Sequence, residues 1–347
     1  MQIANRTIGP DQPPYLIAEM SANHNGSLDR ALAIVDAAAE AGADAVKLQT
    51  YTADTMTLDS HAPGFVIDDP ASLWHGRQLH ELYGEGSLPW DWHRPIMRRA
   101  AEHGIACFSS PFDETAVDFL EDLGCPAYKI ASFELVDLPL VERVARTGKP
   151  MIMSTGMATL AEIDEAVRTA RGAGNTQLVL LKCTSTYPAT PENTNIATIP
   201  HLREATGCLV GLSDHTMGCG VAVAATALGA VLVEKHFTLA RADGGVDSAF
   251  SMEPAELRQL REETTRAWQA VGRVGYGTVP AEEQSKTFRR SLYITRDLKA
   301  GDAITPDAVK AIRPGFGLPP RHREQLLGKR VARDVPRGTP AAWDLLG

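Results

Sequence analysis

The segment LVGLSDHTMGCGVAVAATALGAVLVEKHF, residues 209–237, predicts the fold class by itself. A short apolar run ends in the polar letters SDH, an alanine-rich stretch follows, and a second apolar run ends in EKH. Short apolar runs predict buried strands, and the alanine-rich stretch between them predicts a helix. A strand, a helix and a further strand in this order are typical of α/β proteins with a parallel sheet.

The same unit repeats towards the N-terminus. Strands are predicted over residues 15–20, 45–49, 106–110, 127–132, 151–154, 178–184, 209–215 and 231–237. Helices are predicted between them, among them 27–41, with Ser27 as its N-cap and Gly42 as its stop, and 160–173. Eight units are what an α/β protein of the (β/α)₈ TIM-barrel type requires, whereas the alternative, a doubly wound open sheet, usually has fewer strands.

Two regions depart from this repeat. Residues 51–100 form a long connection with three of the five tryptophans, and such a connection is either a lid over a site or a packed excursion. After a helix predicted over 254–271 and a Gly-rich stretch, short strand-like segments alternate with turn residues, and the strand–helix repeat ends. We therefore predict a catalytic barrel over 1–273, a linker over 274–287 and a small β-rich module over 288–347, with strands over 291–295 and 330–332.

The composition is that of a soluble globular protein. The 347 residues are 44% hydrophobic and 22% charged, which excludes a disordered chain. No apolar run approaches the roughly 20 residues of a membrane helix, and the N-terminus lacks the pattern of a secretory signal. The five cysteines never occur as CxxC, which disfavours a disulfide framework or a structural zinc site. We expect a cytoplasmic protein.

The charge is distributed unevenly along the chain. The net charge is −9, but residues 284–347 hold 13 Lys and Arg against 6 Asp and Glu, a charge of +7. The preceding residues hold 21 against 37, a charge of −16. Halves of opposite sign predict either a tail that binds nucleic acid or a basic module that docks on an acidic body.

Nearly every predicted strand ends in polar side chains, and this is the end at which TIM barrels place their catalytic groups. Period-two alternation puts Lys47 and Gln49 on one strand face, and likewise Glu234 and His236. A buried charge costs several kcal/mol when unpaired, so these side chains should face a ligand or one another. The strand-end set comprises Glu19, Lys47, Gln49, Ser109, Ser110, Lys129, Ser132, Ser154, Lys182, Thr184, Ser213, His215, Glu234 and His236.

These residue types favour particular chemistry. His215 and His236 end consecutive strands, so their rings could share one divalent ion or could form a plain hydrogen-bonded pair. Two lysines and several serines are the groups that a phosphorylated carboxylate needs, namely Lys47, Lys129, Ser110, Ser132, Ser154 and Ser213. Four carboxylates could bind sugar hydroxyls or move protons: Glu19, Glu134, Glu234 and Asp247. Neither a P-loop nor GxGxxG is present.

Nine motifs spread over the barrel resemble the sialic acid synthase family. They are AEMSANHNGS (18–27), AGADAVKLQTYT (41–52), FSSPFDETAVDFL (108–120), YKIASFEL (128–135), STGMA (154–158), KCTSTYPA (182–189), GLSDHTMG (211–218), EKHFTL (234–239) and GGVDSAFSMEP (244–254). FRRSLYITRDLKAGDAIT (288–305) and IRPGFGLPP (312–320) resemble the C-terminal antifreeze-like (SAF) module of that family. The motifs SANHN, KLQTYTADTMTLD, FSSPFD and LWHGRQLHELY resemble its pseudaminic branch more than its N-acetylneuraminate branch.

The resemblance implies a transferase that condenses phosphoenolpyruvate with an open-chain N-acetylated amino sugar, releasing phosphate. For the pseudaminic branch the sugar is 2,4-diacetamido-2,4,6-trideoxy-L-altrose. The resemblance also implies Mn²⁺, with Mg²⁺ or Co²⁺ as alternatives, held by His215 and His236. Glu19 or Glu234 would orient the attacking water, and the sequence does not divide the role between them.

The resemblance further assigns substrate contacts. The phosphoenolpyruvate set would be Lys47, Ser110, Lys129, Ser132, Ser154, Ser185 and Ser213, although Ser185 stands where the sialic branch commonly has Asn. The sugar set would be Gln49, Glu134, Tyr187 and Asp247, together with Arg313 of the partner subunit in a domain-swapped homodimer. The basic tail would then dock on an acidic partner subunit rather than on nucleic acid. N-acetylmannosamine or the legionaminic precursor as acceptor, and a binding protein whose barrel is inert, remain the alternatives.

Overall fold

The chain is described by a computed structural model that covers residues 1–70 and 72–347. It divides into two compact units, Met1–Gly272 and Arg273–Gly347. The first unit contains a closed barrel of eight parallel strands surrounded by helices, so the prediction of a TIM barrel is confirmed. A short hairpin, Gln2–Ile3 with Arg6–Thr7, precedes the barrel.

Each barrel strand pairs with the next strand in the chain, and the last pairs with the first. Closure brings His236 into register with Glu19, which is itself in register with Lys47. The strands are β1 (Tyr15–Glu19), β2 (Ala45–Thr50), β3 (Ala106–Pro111), β4 (Tyr128–Ile130), β5 (Met151–Ser154), β6 (Leu178–Cys183), β7 (Leu209–Ser213) and β8 (Leu232–His236).

Helices follow the strands where the sequence predicts them. Ser27 caps the first, accepting a hydrogen bond from the Arg30 amide at 3.2 Å, as expected for a serine at this position. In the first unit the helices are α1 (Leu28–Glu40), α2 (Ala53–Met56), α3 (Leu79–Gly86), α4 (His93–Glu102), α5 (Glu114–Asp122), α6 (Leu138–Ala145), α7 (Leu160–Gly172), α8 (Thr198–Thr206), α9 (Gly220–Ala227) and α10 (Pro254–Val271). Short 3₁₀ turns include Ser21–His24, Trp90–Trp92 and Ser248–Phe250.

The core lies between the outer faces of the strands and the inner faces of the helices. In α7, Ile163, Ala166, Val167 and Ala170 are buried at the spacing of one helical face. None of the described helices combines the length and the apolar character needed to cross a membrane.

The second unit pairs β9 (Ser291–Ile294) with β10 (Val309–Ile312) and contains α11 (Arg323–Leu326). The strand predicted over 330–332 is wrong. Those residues make only isolated bridges, Arg330 to Ala303 and Val331 to Leu346, because successive residues pair with different segments.

Two predicted barrel strands, 127–132 and 209–215, are too long by two residues at their carboxyl ends, and three others, 15–20, 178–184 and 231–237, by one. β4 ends at Ile130, because the Glu134 amide donates to Ala131 O and begins a turn. β7 ends at Ser213, because the Asp214 side chain accepts from the Thr216 amide at 2.9 Å and bends the chain. Ser132 and His215 therefore lie in the loops after their strands.

Candidate active site

Four charged side chains from four strands meet inside the barrel near the carboxyl ends of the strands. Lys47 Nζ lies 2.6 Å from Glu19 Oε2 and 3.8 Å from Glu234 Oε1. Lys129 Nζ donates to both Glu234 oxygens, at 3.0 and 3.2 Å. All four side chains are buried. We call these residues the charged cluster.

Burial and pairing have opposite effects on the groups of the charged cluster. Burial raises the pKa of Glu19 to about 7, although Lys47 opposes the shift. Burial also acts upward on Glu234, but Lys129 and Lys47 outweigh it and lower its pKa. Burial lowers the pKa of Lys129, whereas Glu19 and Glu234 outweigh burial at Lys47 and raise its pKa. At neutral pH, therefore, Glu234 is ionised and Glu19 can still take up or release a proton.

Serine hydroxyls surround the charged cluster. Lys47 Nζ donates to Ser110 Oγ at 3.3 Å, and Ser213 Oγ donates to Glu234 Oε1 at 3.4 Å. Ser154 Oγ is buried and has no hydrogen-bond partner among the described residues. Buried hydroxyls nearly always have partners, so a spare one at the carboxyl end of a barrel strand indicates a place for a polar ligand atom.

Ser132 and Ser185 come together at Gly156. Ser132 Oγ accepts a hydrogen bond from the Gly156 amide at 3.1 Å. A Cβ at position 156 would lie 2.2 Å from Ser185 Oγ and 2.7 Å from Ser132 Oγ. Only glycine fits there, and this close approach holds both hydroxyls next to one backbone segment.

Cys183, the last residue of β6, is a site residue that the strand-end reading missed. The prediction selected Lys182 and Thr184, but the strand places Cys183 inward, with its Sγ 3.7 Å from Ser185 Oγ and 3.9 Å from His215 Nδ1. Burial acts upward on the pKa of the thiol, but His215 and Ser132 outweigh it and lower the pKa to about 6. The alternation of side chains in a strand could have indicated this, because Cys183 and Leu181 lie on one face of β6 and Lys182 lies on the other.

The two predicted histidines face each other. Their ring centroids are 5.4 Å apart. His215 Nδ1 lies 2.9 Å from Thr184 O, and this hydrogen bond fixes the ring so that Nε2 is left for another partner. Burial and the nearby cations hold the pKa of His236 well below its usual value, so this imidazole is neutral.

These imidazoles fit a divalent cation that takes its remaining ligands from substrate or water. His236 Nδ1 is buried and has no hydrogen-bond partner among the described residues. Over the same residues the structure shows no group of three or more His, Cys, Asp or Glu arranged to hold a metal. Two nitrogen donors without a third protein ligand are typical of an open site rather than a closed structural one.

A buried ion pair lies behind the two histidines, on the other face of the strands. Lys235 Nζ lies 3.0 Å from Asp214 Oδ2 and also donates to Thr216 O. Asp214 Oδ1 accepts from the Thr216 amide and from its hydroxyl. Because Asp214 and Lys235 are the sequence neighbours of His215 and His236, the pair fixes the backbone that carries both rings.

A cavity of about 450 Å³ opens above the charged cluster. Gln49 lines it and donates to Glu19 Oε1 at 2.9 Å, which connects the cavity to the cluster. Tyr187 also lines it, with its ring centroid 4.5 Å from that of His215. The predicted sugar residues Gln49, Glu134, Tyr187 and Asp247 all line this cavity, together with His236 and Ser185.

The two cavity carboxyls differ in how they are paired. Asp247 Oδ2 accepts from the Ser21 hydroxyl and the Ala22 amide, contacts that the sequence did not indicate. Glu134 Oε2 is buried without a partner among the described residues, and burial raises the pKa of this carboxyl to about 7. Glu134 therefore has hydrogen-bonding capacity left for a ligand.

Arg313, which the sequence assigns to the sugar set, belongs to the second unit. It follows β10, is exposed, and precedes Pro314 in the IRPG motif.

Comparison with known families covers both units. Residues 34–276 match the NeuB family, and residues 289–347 match the SAF domain. These two matches agree with the resemblance found in the sequence motifs. The observed barrel and the C-terminal β module agree with it as well.

Individual relatives align over nearly the whole chain. Pseudaminic acid synthase of Helicobacter pylori is 41% identical over 96% of this chain and 98% of its own. Pseudaminic acid synthase of Campylobacter jejuni is 42% identical over 97% of both chains. Among solved structures, the N-acetylneuraminic acid (sialic acid) synthetase of Leptospira borgpetersenii in complex with citrate is 29% identical, with a TM-score of 0.74 over 82% of this chain and 94% of its own.

Proposed function

The chain belongs to the NeuB family, and we propose that it condenses phosphoenolpyruvate with 2,4-diacetamido-2,4,6-trideoxy-L-altrose to give pseudaminic acid and phosphate. Both relatives described above are named pseudaminic acid synthase, which supports this product and therefore this acceptor. The enzyme is then a transferase that forms a carbon–carbon bond.

The observation that carries the proposal is the charged cluster beside the cavity. Two buried ammonium groups and the spare Ser154 hydroxyl suit the phosphate and carboxylate of phosphoenolpyruvate. The adjoining cavity has the size of a small-molecule site and offers carboxyl, amide and aromatic groups to a sugar. A binding protein with an inert barrel would not require charges buried in this arrangement.

The residues divide the chemistry as follows. Lys47 and Lys129 hold the phosphate and carboxylate and stabilise negative charge while the C–O bond of the enol phosphate breaks. C3 of phosphoenolpyruvate attacks the aldehyde carbon of the sugar held by Gln49, Glu134, Tyr187 and Asp247, and C2 becomes electron-poor. A water then adds to C2, and Glu19 takes its proton, because a carboxyl with a pKa of about 7 can act as a base at neutral pH. The former aldehyde oxygen takes up a proton to become a hydroxyl. The tetrahedral C2 then collapses to the ketone as its C–O bond to phosphate breaks, and phosphate leaves with the proton of the new hydroxyl.

His215 and His236 would hold a divalent cation, Mn²⁺ in our proposal with Mg²⁺ or Co²⁺ as alternatives, which when bound polarises the aldehyde oxygen as a Lewis acid. His215→Ala should remove all metal-dependent turnover and leave the fold intact. The comparison is phosphate release by wild type and variant with added Mn²⁺ and with a chelator. Full activity of the wild-type enzyme in the chelator would refute the metal role.

A phosphate-release assay tests the acceptor. Purified enzyme with phosphoenolpyruvate is given 2,4-diacetamido-2,4,6-trideoxy-L-altrose, the legionaminic precursor or N-acetylmannosamine in parallel. We expect the highest kcat/KM with the first sugar. A higher value with either of the others would replace the proposed acceptor, and no phosphate release with any sugar would contradict the synthase assignment.

We further propose a cytoplasmic, domain-swapped homodimer in which Arg313 of the partner subunit completes the sugar site. Mixing two inactive variants, Arg313→Ala and His236→Ala, under conditions that exchange subunits should then restore activity, because each mixed dimer holds one site with an intact barrel and an intact arginine. If both groups came from one subunit, mixing would restore nothing. Sedimentation of the wild-type protein measures the dimer independently.

A further inference from the structure

We propose that the long connection after β2, residues 52–88, is the specificity element of the sugar site and receives the methyl-bearing side of the acceptor. This inference rests on the function proposed above and adds the part of the site that selects a deoxy sugar.

The connection supplies one complete side of the cavity. The side chains that it contributes to the lining are apolar or aromatic, and none of those in the described residues is charged: Met56, Ile67, Trp74, Leu79, Leu82 and Tyr83. The lining residues outside the connection include the polar groups Gln49, Glu134 and Asp247, together with apolar side chains such as Phe112 and Phe133. Among the described residues, the carboxyl and amide side chains that line the cavity therefore all lie outside the connection, which presents apolar and aromatic side chains to it.

The apolar wall is held in place at several points. Trp74 Nε1 donates to Val246 O at 3.2 Å, which ties the wall to the loop after β8. Within the connection, the buried Gln78 amide donates to Asp59 Oδ1 at 2.9 Å and to Ser60 O at 3.0 Å. A backbone bridge joins Val66 to Gln78. The wall has a defined shape and can therefore discriminate between ligands.

Aromatic contacts join the wall to the barrel mouth. The Tyr51 ring, at the end of β2, lies edge-on to Tyr83 with centroids 6.0 Å apart, and edge-on to Phe112 at 5.2 Å. The Trp74 ring lies 6.1 Å from Tyr187, which contacts His215. The apolar wall thus begins directly beside the residues assigned to the reaction.

A ligand that matches this cavity has hydroxyl and amide groups on one side and methyl groups on the other. The proposed acceptor meets that description, since it has a methyl group at C6 and one in each acetamido group. A sugar with a hydroxyl at C6 would lose water from that hydroxyl against a wall that offers few polar groups in return. A hydrophobic pocket discriminates against one added hydroxyl by roughly 10²-fold, and this is the preference we expect.

The test is the ratio of kcat/KM for the proposed sugar to that for its analogue with a hydroxyl at C6. Two substitutions make the wall polar, Met56→Gln with little change in volume and Ile67→Thr with the loss of one methyl group. Both side chains are only half-buried, so the fold should tolerate the changes. Leu58→Gln is the matched control, because Leu58 lies in the same connection, is 66% exposed and does not line the cavity.

We expect a ratio of roughly 10² in the wild-type enzyme and in Leu58→Gln, falling to about 10 or less in the doubly substituted wall variant. The KM for phosphoenolpyruvate should stay within about twofold in all of them, which also verifies that the variants are folded. An unchanged ratio in the wall variants overturns the inference alone. A wild-type enzyme that does not use the trideoxy sugar overturns the proposed function, and with it this inference.

Discussion

The polar side chains on the two faces of β8 are paired differently. Glu234 and His236 point into the barrel, whereas Lys235 points into the layer between strands and helices. On the outer face, Lys235 and Asp214 satisfy each other, and the Thr216 backbone and hydroxyl complete the set. On the inner face, Ser154 Oγ and His236 Nδ1 have no partner among the described residues, and Glu19 has a pKa raised to about 7 by burial.

The difference distinguishes a structural charge from a functional one. A buried ion pair whose hydrogen bonds are all made contributes to the arrangement of the chain and has nothing to offer a ligand. Buried polar atoms without partners raise the free energy of the empty protein, and a ligand that supplies the missing partners recovers it. Burial alone would have grouped the two sets together, because Glu19, Ser154, Asp214 and Lys235 are all buried.

The largest expected effect comes from removing a cation on the inner face. Lys129→Met should lower kcat/KM for phosphoenolpyruvate by about 10³-fold, because a charge aimed at the phosphate or carboxylate is lost. Stability should change less than in Lys235→Met, since Glu234 keeps Lys47 at 3.8 Å and Glu19 can take up a proton. Steady-state phosphate release and urea unfolding measure the two quantities. Activity within tenfold of wild type would contradict the functional reading of the inner face.

Removing the cation on the outer face should act on stability instead. Lys235→Met leaves the Asp214 carboxylate buried without its counter-charge, and the free energy of unfolding should fall by about 3 kcal/mol. Urea unfolding measures the loss, and kcat per folded molecule is the second readout. A variant as stable as wild type would show that the pair does not hold this part of the barrel together.

A smaller effect separates the lost charge from the lost packing. Asp214→Asn added to Lys235→Met should recover about 2 kcal/mol relative to the single variant, because no uncompensated charge remains and the asparagine oxygen can still accept from Thr216. The same unfolding measurement applies. Failure to recover any stability would mean that the methionine itself, rather than the unpaired carboxylate, causes the loss.

The smallest expected effect is a pH dependence in the cavity. Glu134 is protonated below about pH 7 and ionised above it, and only the ionised form offers all its oxygens to the N–H and O–H groups of the sugar. The KM for the sugar should therefore rise as the pH falls from 7 to 6, by less than about tenfold. Glu134→Gln should remove this dependence while the KM for phosphoenolpyruvate keeps its own profile. An identical sugar profile in both proteins would assign the titration to another group.

The sequence predicts the barrel and most of its inward charges for a physical reason. Alternation in a strand has a fixed period, so a polar residue such as Lys47 or Glu234 inside an apolar run must point to one face. The prediction failed where the strand boundary was misplaced. Choosing Lys182 and Thr184 shifted the reading of β6 by one residue and hid Cys183.

The cavity wall could not be predicted, because it depends on contacts between distant segments. Trp74 and Val246 are 172 positions apart, and no local period encodes their meeting. The second unit shows the same limit. The short segment 330–332 resembles a strand in sequence, but whether β9 pairs with it or with β10 is decided by packing.

The register between Glu19 and His236 has a consequence for the order of events during folding. These residues belong to the first and last strands of the barrel, so the proposed reaction centre lies across the pairing that closes the barrel. Glu19 and His236 are held side by side only in a chain in which that pairing has formed. A substrate that binds only the closed barrel stabilises it against opened states, and this stabilisation grows with substrate concentration. Bound substrate should therefore reduce local opening between the first and last strands.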